Sequence, residues 1–309
     1  VPVAGCGGLR HSTAMSLSNR ITRCPIPYDA DHGHDARALV PWADAALADL
    51  IAGTAGCSPY LRGLLRHEGA WLETAALQPE QALRDLLPDL VADIDPHSGP
   101  RASADLAVAL RRAKRRAALL IALADLGGVW DLDQVTGALT ALADAAAGLA
   151  FDAAVADQVR RRKLPAFATA ADAGLVAFAM GKMGAAELNY SSDIDLIVLF
   201  DETRHDPADF ADIRAGLVRA TRAAAALLND VTAQGYVFRT DLRLRPDPAV
   251  TPVCLAMEAA ERYYESLGRT WERAAWIKAR PCVGDLEAGA RFQRVLRPFI
   301  WRRPHRTWT

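Results

Sequence analysis

Two aspartates separated by one residue dominate the chemistry that this sequence could perform. Asp193 and Asp195 flank Ile194 at the start of an apolar, β-branched run, residues 194–200, which predicts a buried strand. Side chains two positions apart on a strand point the same way, so the two carboxylates project together. Carboxylates held that close repel each other, by about 1 kcal/mol in water and several times more once desolvated. A divalent cation removes this penalty; otherwise one carboxylate must take up a proton.

A third carboxylate lies in a second alternating run, residues 236–244, which also predicts a strand. Asp241 shares alternate positions there with Arg239, Arg243 and Arg245, so these four side chains favour one face. One Asp among three Arg makes a poor dry core and suits phosphate oxygens bridged by a metal. Three carboxylates with arginines match a two-metal phosphoryl-transfer site. The sequence therefore gives Asp193, Asp195 and Asp241 as candidate catalytic and metal-binding residues.

A glycine turn precedes the carboxylate pair. Gly181 and Gly184 follow a short apolar run, residues 175–180, that predicts another buried strand. Glycines let the backbone turn closely, so that amides at the start of the next helix can meet a phosphate. Ser191 and Ser192 add hydroxyl donors just before the aspartates. The turn lacks the GxxxxGK[ST] pattern and does not indicate an ATPase loop.

A second Asp-Ile-Asp, residues 93–95, serves as an internal control for the first. Pro96 follows it, and no glycine turn precedes it. We interpret this copy as a loop without chemistry, which shows that the spacing alone carries little information. The combination of glycine turn, serine pair, strand and distant Asp241 is far more specific.

The segment 268–281 admits two interpretations. Lys278 and Arg280 could bring positive charge to a phosphate, triphosphate or AMP group, or they could be solvated side chains of a helix. Both readings remain open from the sequence. Trp271 and Trp276 are predicted to be core residues.

Helices are expected to surround the strands that carry this chemistry. Residues 36–164 read as helical throughout, and 104–126 have one clear apolar face. We interpret the arginines on its opposite side as a solvated face or as partners of acidic neighbours, with a phosphate or nucleic-acid patch as the alternative. These arginines are Arg111, Arg112, Arg115 and Arg116. Further helices are predicted over 206–231, 256–267 and 286–295, so the fold class is α+β.

Composition limits the kinds of partner and compartment. The 309 residues carry 36 basic and 37 acidic side chains, so no whole-chain field attracts nucleic acid or a membrane. No run approaches the ~20 apolar residues that span a bilayer. The odd number of scattered cysteines argues against disulfides or a zinc site and for a reducing cytoplasm. They are Cys6, Cys24, Cys57, Cys254 and Cys282. We predict a cytoplasmic protein with no nucleic-acid or membrane partner.

These motifs resemble the glutamine synthetase adenylyltransferases, whose domains belong to the DNA polymerase β-like nucleotidyltransferase superfamily. The resemblance runs from about Ser58 to Arg303. It rests on segments 110–116, 128–132, 189–195, 241–246 and 268–273. The family repeats its nucleotidyltransferase unit, and these segments resemble the first copy. That copy removes AMP from a tyrosine of glutamine synthetase with inorganic phosphate and releases ADP, whereas the second copy adds AMP from ATP.

The resemblance implies roles for individual residues. Asp193, Asp195 and Asp241 would bind a pair of Mg²⁺ ions and make this a nucleotidyltransferase that controls nitrogen assimilation. Phosphate or nucleotide contacts are implied for Gly181, Lys182, Gly184, Ser191, Ser192, Arg243 and Arg245. The implied partners are adenylylated glutamine synthetase, a PII-type signal protein, and phosphate, ADP and ATP.

The expected organisation has four parts. We predict a loose tail over 1–34, a helical bundle over 35–165, a polymerase β-like domain with a small mixed sheet flanked by helices over 166–303, and a divergent tail over 304–309. Ala185 stands where a glycine is common in the family. The family's C-terminal regions are expected to be missing. Two alternatives remain open: a nucleotidyltransferase with another substrate, and a truncated, inactive binding module for glutamine synthetase or a PII-type protein.

Overall fold

The computed structural model of this chain describes residues 15–95 and 97–301. The described residues fall into two compact units. The first contains residues up to Leu86 together with Arg115–Val135, and the second contains Leu87–Lys114 together with residues from Thr136 onwards. This division differs from the predicted boundary at residue 165, because two long helices each contribute residues to both units. The predicted tail 304–309 lies outside the described residues.

Six α-helices precede the sheet in the described part of the chain. They are α1 (Ala30–Ala38), α2 (Ala45–Cys57), α3 (Pro59–Ala75), α4 (Pro79–Val91), α5 (Pro100–Leu126) and α6 (Leu132–Arg160). Their starts follow ordinary capping chemistry. The Asp44 side chain accepts a hydrogen bond from the Leu47 N–H at the start of α2, and Ser58 does the same for Leu61, with Pro59 in the first helical position. The helical prediction for 36–164 is therefore confirmed for most of this range.

The N-terminal segment is ordered where the structure describes it, which contradicts the loose tail predicted up to residue 34. Leu17 is fully buried, and Arg20 pairs with Glu80 at 2.6 Å. Glycines in α2 leave room for the extended chain: a Cβ on Gly53 would lie 1.9 Å from the carbonyl oxygen of Pro25. The sequence pattern missed this packing because the segment itself has no periodicity. Residues 1–14 of the predicted tail lie outside the described range.

Helix α6 is long and apolar enough, by length and composition, to cross a membrane. However, 61% of its most apolar stretch is buried inside the structure, as in the core helix of a folded domain. The apolar character of α6 therefore has a packing explanation.

The basic run on α5 is largely engaged by other groups. In the first unit, the Nε atoms of Arg115 and Arg116 each donate to a carboxylate oxygen of Glu68 at 2.9 Å, and Glu68 is buried. Arg112 is exposed. The interpretation that the arginines of this run pair with acidic neighbours or face solvent is confirmed for these three and wrong for Arg111, which is buried and donates to backbone carbonyls.

A five-stranded mixed sheet forms the centre of the second unit. Its strands are β1 (Leu175–Ala179), β2 (Ile194–Phe200), β3 (Thr240–Asp241), β4 (Cys254–Ala256) and β5 (Arg280–Gly284). The strand order is β3-β2-β1-β5, and β4 also pairs with β2. β1 runs antiparallel to β2 and β5, whereas β2 runs parallel to β3 and β4. β1 is buried along its whole length, which explains its continuous apolar sequence.

Five further helices accompany the sheet. They are α7 (Gly181–Gly184), α8 (Phe210–Asn229), α9 (Met257–Ser266), α10 (Thr270–Ile277) and α11 (Leu286–Ile300). The α+β class is confirmed, and β2 has the predicted bounds. An aromatic cluster around Trp276, with Phe178 at 5.1 Å and Tyr264 at 5.6 Å between ring centroids, packs in the core. The core prediction is right for Trp276 and wrong for Trp271, which is 46% exposed on the opposite side of α10.

The predicted strand over 236–244 is much shorter in the structure. Only Thr240 and Asp241 pair in the sheet. Before them, the N–H groups of Val237 and Phe238 both donate to the carbonyl of Leu228. After them the chain forms turns and bends over 243–251. The alternation of residue types therefore predicted the position of β3 correctly and overestimated the length of the strand.

Candidate active site

The parallel pairing of β2 with β3 brings two of the predicted aspartates together. Asp195 and Asp241 are direct Cα partners in this register, one step beyond the pair of Ile194 with Thr240. The Ile194 N–H donates to the Arg239 carbonyl at 2.8 Å and begins the ladder. Side chains of directly opposed residues lie on the same face of a sheet, so these carboxylates share one surface. Asp193, directly before β2, is exposed.

Two arginines already engage the outer carboxylates. The Arg239 Nε donates to Asp193 Oδ1 at 2.5 Å, and its Nη2 donates to the carbonyl of Ser191 at 2.8 Å. Arg243 donates from Nε to both oxygens of Asp241, at 3.0 and 2.8 Å, and its backbone N–H reaches Oδ1 at 2.7 Å. The Arg243 side chain is 84% exposed. It is thus accessible from solvent.

The pKa values of Asp195 and Asp241 shift in opposite directions. Burial raises the pKa of Asp195, and the charges of Asp241 and Asp193 raise it further against the weaker opposing effect of Arg243. Hydrogen bonds from the Arg243 side chain hold the pKa of Asp241 below its ordinary value, against a smaller effect of burial. Asp195 is therefore the carboxylate whose charge is least compensated. The mutual repulsion expected from the sequence is present here.

The three carboxylates do not form a ready-made metal cage. Within residues 15–95 and 97–301, no group of three or more His, Cys, Asp or Glu side chains could hold a metal ion as placed. As placed, Arg239 binds Asp193 Oδ1, and Arg243 binds both oxygens of Asp241. The register brings Asp195 and Asp241 together, and the convergence of all three side chains around metal ions stays a prediction. The donors themselves, three carboxylates with one poorly compensated charge, suit a hard cation such as Mg²⁺.

The glycine turn lies against Asp195. The Met180 N–H donates to the Asp195 carbonyl at 2.9 Å, and Gly181 follows with φ +53°. A Cβ on Gly181 would stand 3.5 Å from Asp195 Oδ2. The exposed Lys182 is in the same turn. The turn therefore borders the carboxylate site, although α7 is a single helical turn rather than a long helix.

Gly184 closes this turn against another segment. A Cβ there would lie 2.0 Å from the Lys278 carbonyl oxygen and 2.6 Å from that of Ala179. The role of Gly184 in the structure is thus close backbone packing.

The serines directly before the aspartates have different surroundings. Ser191 is exposed and offers its carbonyl to Arg239. The Ser192 hydroxyl donates to the side-chain carbonyl of Asn189. As placed, Ser191 is the better situated of the two to meet a ligand.

The remaining predicted phosphate contacts are engaged elsewhere in the second unit. Lys278 pairs with Glu187 at 2.6 Å on the surface. One guanidinium nitrogen of Arg280 donates to both oxygens of Asp144, at 2.9 and 2.7 Å, and to the Met183 carbonyl. Arg245 donates to backbone carbonyls of its own loop, those of Leu242, Pro248 and Thr251. Arg280 and Arg245 thus hold the local structure rather than project towards a ligand.

A family model covers the segment that contains this site. Residues 48–295 match the model of the family described as glutamate-ammonia ligase adenylyltransferase. The chain belongs to this family.

Curated members of the glutamate-ammonia ligase adenylyltransferase family are similar along most of the chain. A protein of Bradyrhizobium sp. (strain BTAi1 / ATCC BAA-1182) is 47% identical over 258 residues, which are 82% of this chain and 26% of that protein. A Xanthobacter autotrophicus protein is 47% identical over 305 residues, 93% of this chain and 31% of that protein. A Caulobacter vibrioides protein is 42% identical over 309 residues, 95% of this chain and 30% of that protein. Each is named a bifunctional glutamine synthetase adenylyltransferase/adenylyl-removing enzyme. This chain spans roughly a quarter to a third of the length of these relatives.

Sequence reasoning about this family member missed two supporting residues on α6. Asp144 forms an ion pair with Arg280, and the Thr140 hydroxyl oxygen accepts a hydrogen bond from the Leu188 N–H at 3.3 Å. Both contacts fasten the glycine turn and the loop after it. Asp144 did offer a signal, because a carboxylate flanked by Ala and Leu in the middle of a helix needs a partner once it is buried. Nothing in the sequence identified that partner.

Proposed function

We propose that this chain removes AMP from an adenylylated tyrosine of glutamine synthetase by phosphorolysis. An oxygen of inorganic phosphate attacks the AMP phosphorus, and the bond from phosphorus to the tyrosine oxygen breaks. The products are ADP and a tyrosine whose oxygen takes up the proton that the attacking phosphate gives up. The observation that carries this proposal is the register of Asp195 with Asp241 beside the glycine turn. The motifs that resemble the first copy of the family, and the names of the relatives, support it.

The proposal assigns the chain a polymerase β-like arrangement and a pair of Mg²⁺ ions. Asp193, Asp195 and Asp241 would hold them; when bound, the ions supply charge neutralisation for phosphate oxygens and for the departing tyrosine oxygen. Arg243, exposed and paired with its neighbour Asp241, is proposed to turn towards phosphate oxygens and pair with them in its planar fork. A cytoplasmic location and regulation by a PII-type protein belong to the same proposal.

Other residues would orient the reactants. Gly181 lets the backbone pass close to Asp195 without a side chain in the way, which leaves space for a phosphate on that face. The exposed Lys182 would add positive charge at its rim. Alignment of the attacking oxygen, the phosphorus and the leaving oxygen accounts for a large part of the rate in such transfers.

The test is ADP release. The chain is incubated with adenylylated glutamine synthetase, Mg²⁺ and phosphate; ADP is quantified and the tyrosine is followed by mass spectrometry. We expect ADP and loss of the AMP mass with wild type, and neither with Asp195→Asn. Asp93→Asn, in the second Asp-Ile-Asp, is the matched control and should act like wild type. If Asp195→Asn released ADP at the wild-type rate, the proposed site would be rejected. Release of AMP without ADP would reject phosphorolysis.

A binding module without catalysis is the second candidate function. It is favoured by the ion pairs of Arg239 with Asp193 and of Arg243 with Asp241, which satisfy two of the three carboxylates internally. Calorimetry with Mn²⁺ and with adenylylated glutamine synthetase separates the two candidates. Binding of the protein partner without binding of Mn²⁺ would favour the module, whereas binding of both favours the enzyme.

A further inference from the structure

Arg111 is a buried arginine in the second unit whose partners are backbone carbonyls. It lies on α5 and is 3% exposed. Its Nε donates to the Gly235 carbonyl at 2.8 Å, and its Nη1 donates to that of Ala107 at 2.9 Å. Its Nη2 donates to the carbonyls of Asp230 and Leu227 at 2.5 and 3.3 Å. One guanidinium thus joins α5 to three points of another segment.

These three points surround the end of α8. Leu227 is in its last turn and Asp230 is its C-cap residue, so both carbonyls belong to the group that a helix leaves without internal partners. Gly235 belongs to the turn that follows, with φ +82° and a two-way backbone pairing with Thr232. A basic side chain is a favourable donor at such a helix end. Arg111 therefore fixes both the end of α8 and the turn beyond it.

The turn leads directly into the candidate active site. Val237 and Phe238 are buried, and both N–H groups donate to the Leu228 carbonyl. The Nζ of Lys114, one helical turn after Arg111, lies 3.8 Å from the centre of the Phe238 ring. Asp241 follows three residues later. Because β3 has only two paired residues, well below the usual strand length, its own ladder gives it little support.

We propose that Arg111 is a positioning residue for the candidate active site: by holding residues 227–235 it sets the register that places Asp241 opposite Asp195. The effect of Arg111 on catalysis rests on the proposed function, whereas its effect on the backbone of residues 227–241 does not. The role needs arginine in particular. A guanidinium presents donors in several fixed directions, and a lysine ammonium is a point charge that does not reach all three carbonyls.

The experiment compares Arg111→Met and Arg111→Lys with Arg112→Met, a matched control at the next, exposed position of the same helix. Hydrogen–deuterium exchange reports on the backbone of 227–241, Mn²⁺ titration reports on the carboxylates, and ADP release reports on chemistry. For Arg111→Met we expect faster exchange confined to this segment, Mn²⁺ binding weaker by about tenfold and kcat lower by about 100-fold with a smaller change in KM. Arg111→Lys should fall between Arg111→Met and wild type, and Arg112→Met should match wild type.

The outcomes separate this inference from the proposed function. If wild type releases no ADP, the proposed function fails, and exchange and Mn²⁺ binding still decide the role of Arg111. Unchanged exchange and unchanged Mn²⁺ affinity in folded Arg111→Met would overturn it. If Arg111→Met does not fold, Arg111→Lys is the deciding variant. A positioning role is rejected if Arg111→Lys exchanges hydrogen in 227–241 at the wild-type rate. It is also rejected if circular dichroism shows that the whole unit of Arg111→Lys is unfolded.

Discussion

Asp195 and Asp241 lie opposite each other on neighbouring parallel strands, and the charge of Asp241 adds to burial in raising the pKa of Asp195. This relationship joins the fold to the proposed chemistry. A fold selected for stability alone gains nothing from opposed carboxylates, because like charges directly across a sheet repel. Such an arrangement is typical of a site that binds cations or transfers protons.

Asp195→Asn should separate catalysis from stability. We expect ADP release to fall by at least about 100-fold, because the carboxylate at the centre of the site is lost. In a buffer with EDTA the variant should be as stable as wild type or more so, because the repulsion between the carboxylates disappears.

The raised pKa of Asp195 means that the folded protein holds the proton of this carboxyl group more tightly than the unfolded chain. Wild type should therefore gain stability relative to the variant as pH falls through the Asp195 pKa. Urea unfolding at several pH values measures this; a constant difference across pH would contradict it.

Gly184→Ala should distort the glycine turn. The new Cβ would meet the Lys278 carbonyl oxygen at 2.0 Å, so the backbone must shift. We expect a loss of about 1–3 kcal/mol in the free energy of unfolding, together with lower activity. Gly137→Ala in α6 is the matched control, since nothing lies within 4 Å of its Cβ. It should raise stability by about 0.5–1 kcal/mol. Equal effects of the two substitutions in denaturant unfolding would show that Gly184 is not tightly packed.

Arg280→Met should act on stability rather than on phosphate binding. The side chains of Arg280 and Asp144 are only 32% and 28% exposed, and burial already raises the pKa of Asp144 despite the arginine. Removal of the arginine leaves that carboxylate uncompensated, and we expect a loss of about 1–2 kcal/mol after allowance for solvent screening.

Lys278→Met is the control for the Arg280–Asp144 ion pair. It removes a surface ion pair, because the side chains of Lys278 and its partner Glu187 are each at least half exposed. We expect a change below about 1 kcal/mol. A double-mutant cycle with Asp144→Asn measures the coupling in the Arg280 pair. A higher KM for phosphate with unchanged stability in Arg280→Met would instead support the phosphate contact considered from the sequence.

Lys114→Met should reveal a cost of burying a charge. Burial lowers the pKa of Lys114 to about 8, although the Phe238 ring beneath its ammonium favours the charged form. A lowered lysine pKa means that the unfolded chain binds the proton more tightly. The stability of wild type should therefore rise relative to Lys114→Met as pH increases from about 8 towards 10.5. At pH 7 the variant should be the more stable protein. Thermal unfolding across this range tests the sign, and a less stable variant at pH 7 would mean that the ring contact outweighs burial.

Much of the site was predictable because its signals are local. The bounds of β2, the Asp-x-Asp spacing on it and the glycine turn after β1 all follow from residue types within a few positions of each other. The loop around Asp93 was predicted for the same reason: it lies beyond the end of α4 and has no strand pattern. Where local preference and tertiary packing agree, a sequence pattern is sufficient.

The failures have one cause in common. The segment over 15–34 has no periodicity, yet it packs on α2 because glycines there admit it. Trp271 and Trp276 lie on the same short helix, and only packing decided that the second is buried and the first exposed. The predicted strand over 236–244 has only two paired residues, because the N–H groups of Val237 and Phe238 donate to the Leu228 carbonyl at the end of α8 and not to the sheet.

The sequence by itself therefore determined which residues are candidates for the chemistry, and it predicted strands at Asp195 and Asp241. Only the tertiary structure decided that Asp241 stands opposite Asp195, that Asp144 is the partner of Arg280, and that Arg111 holds the chain leading into β3. These contacts join residues far apart along the chain. Their geometry depends on how whole elements pack, and the types of neighbouring residues do not encode it.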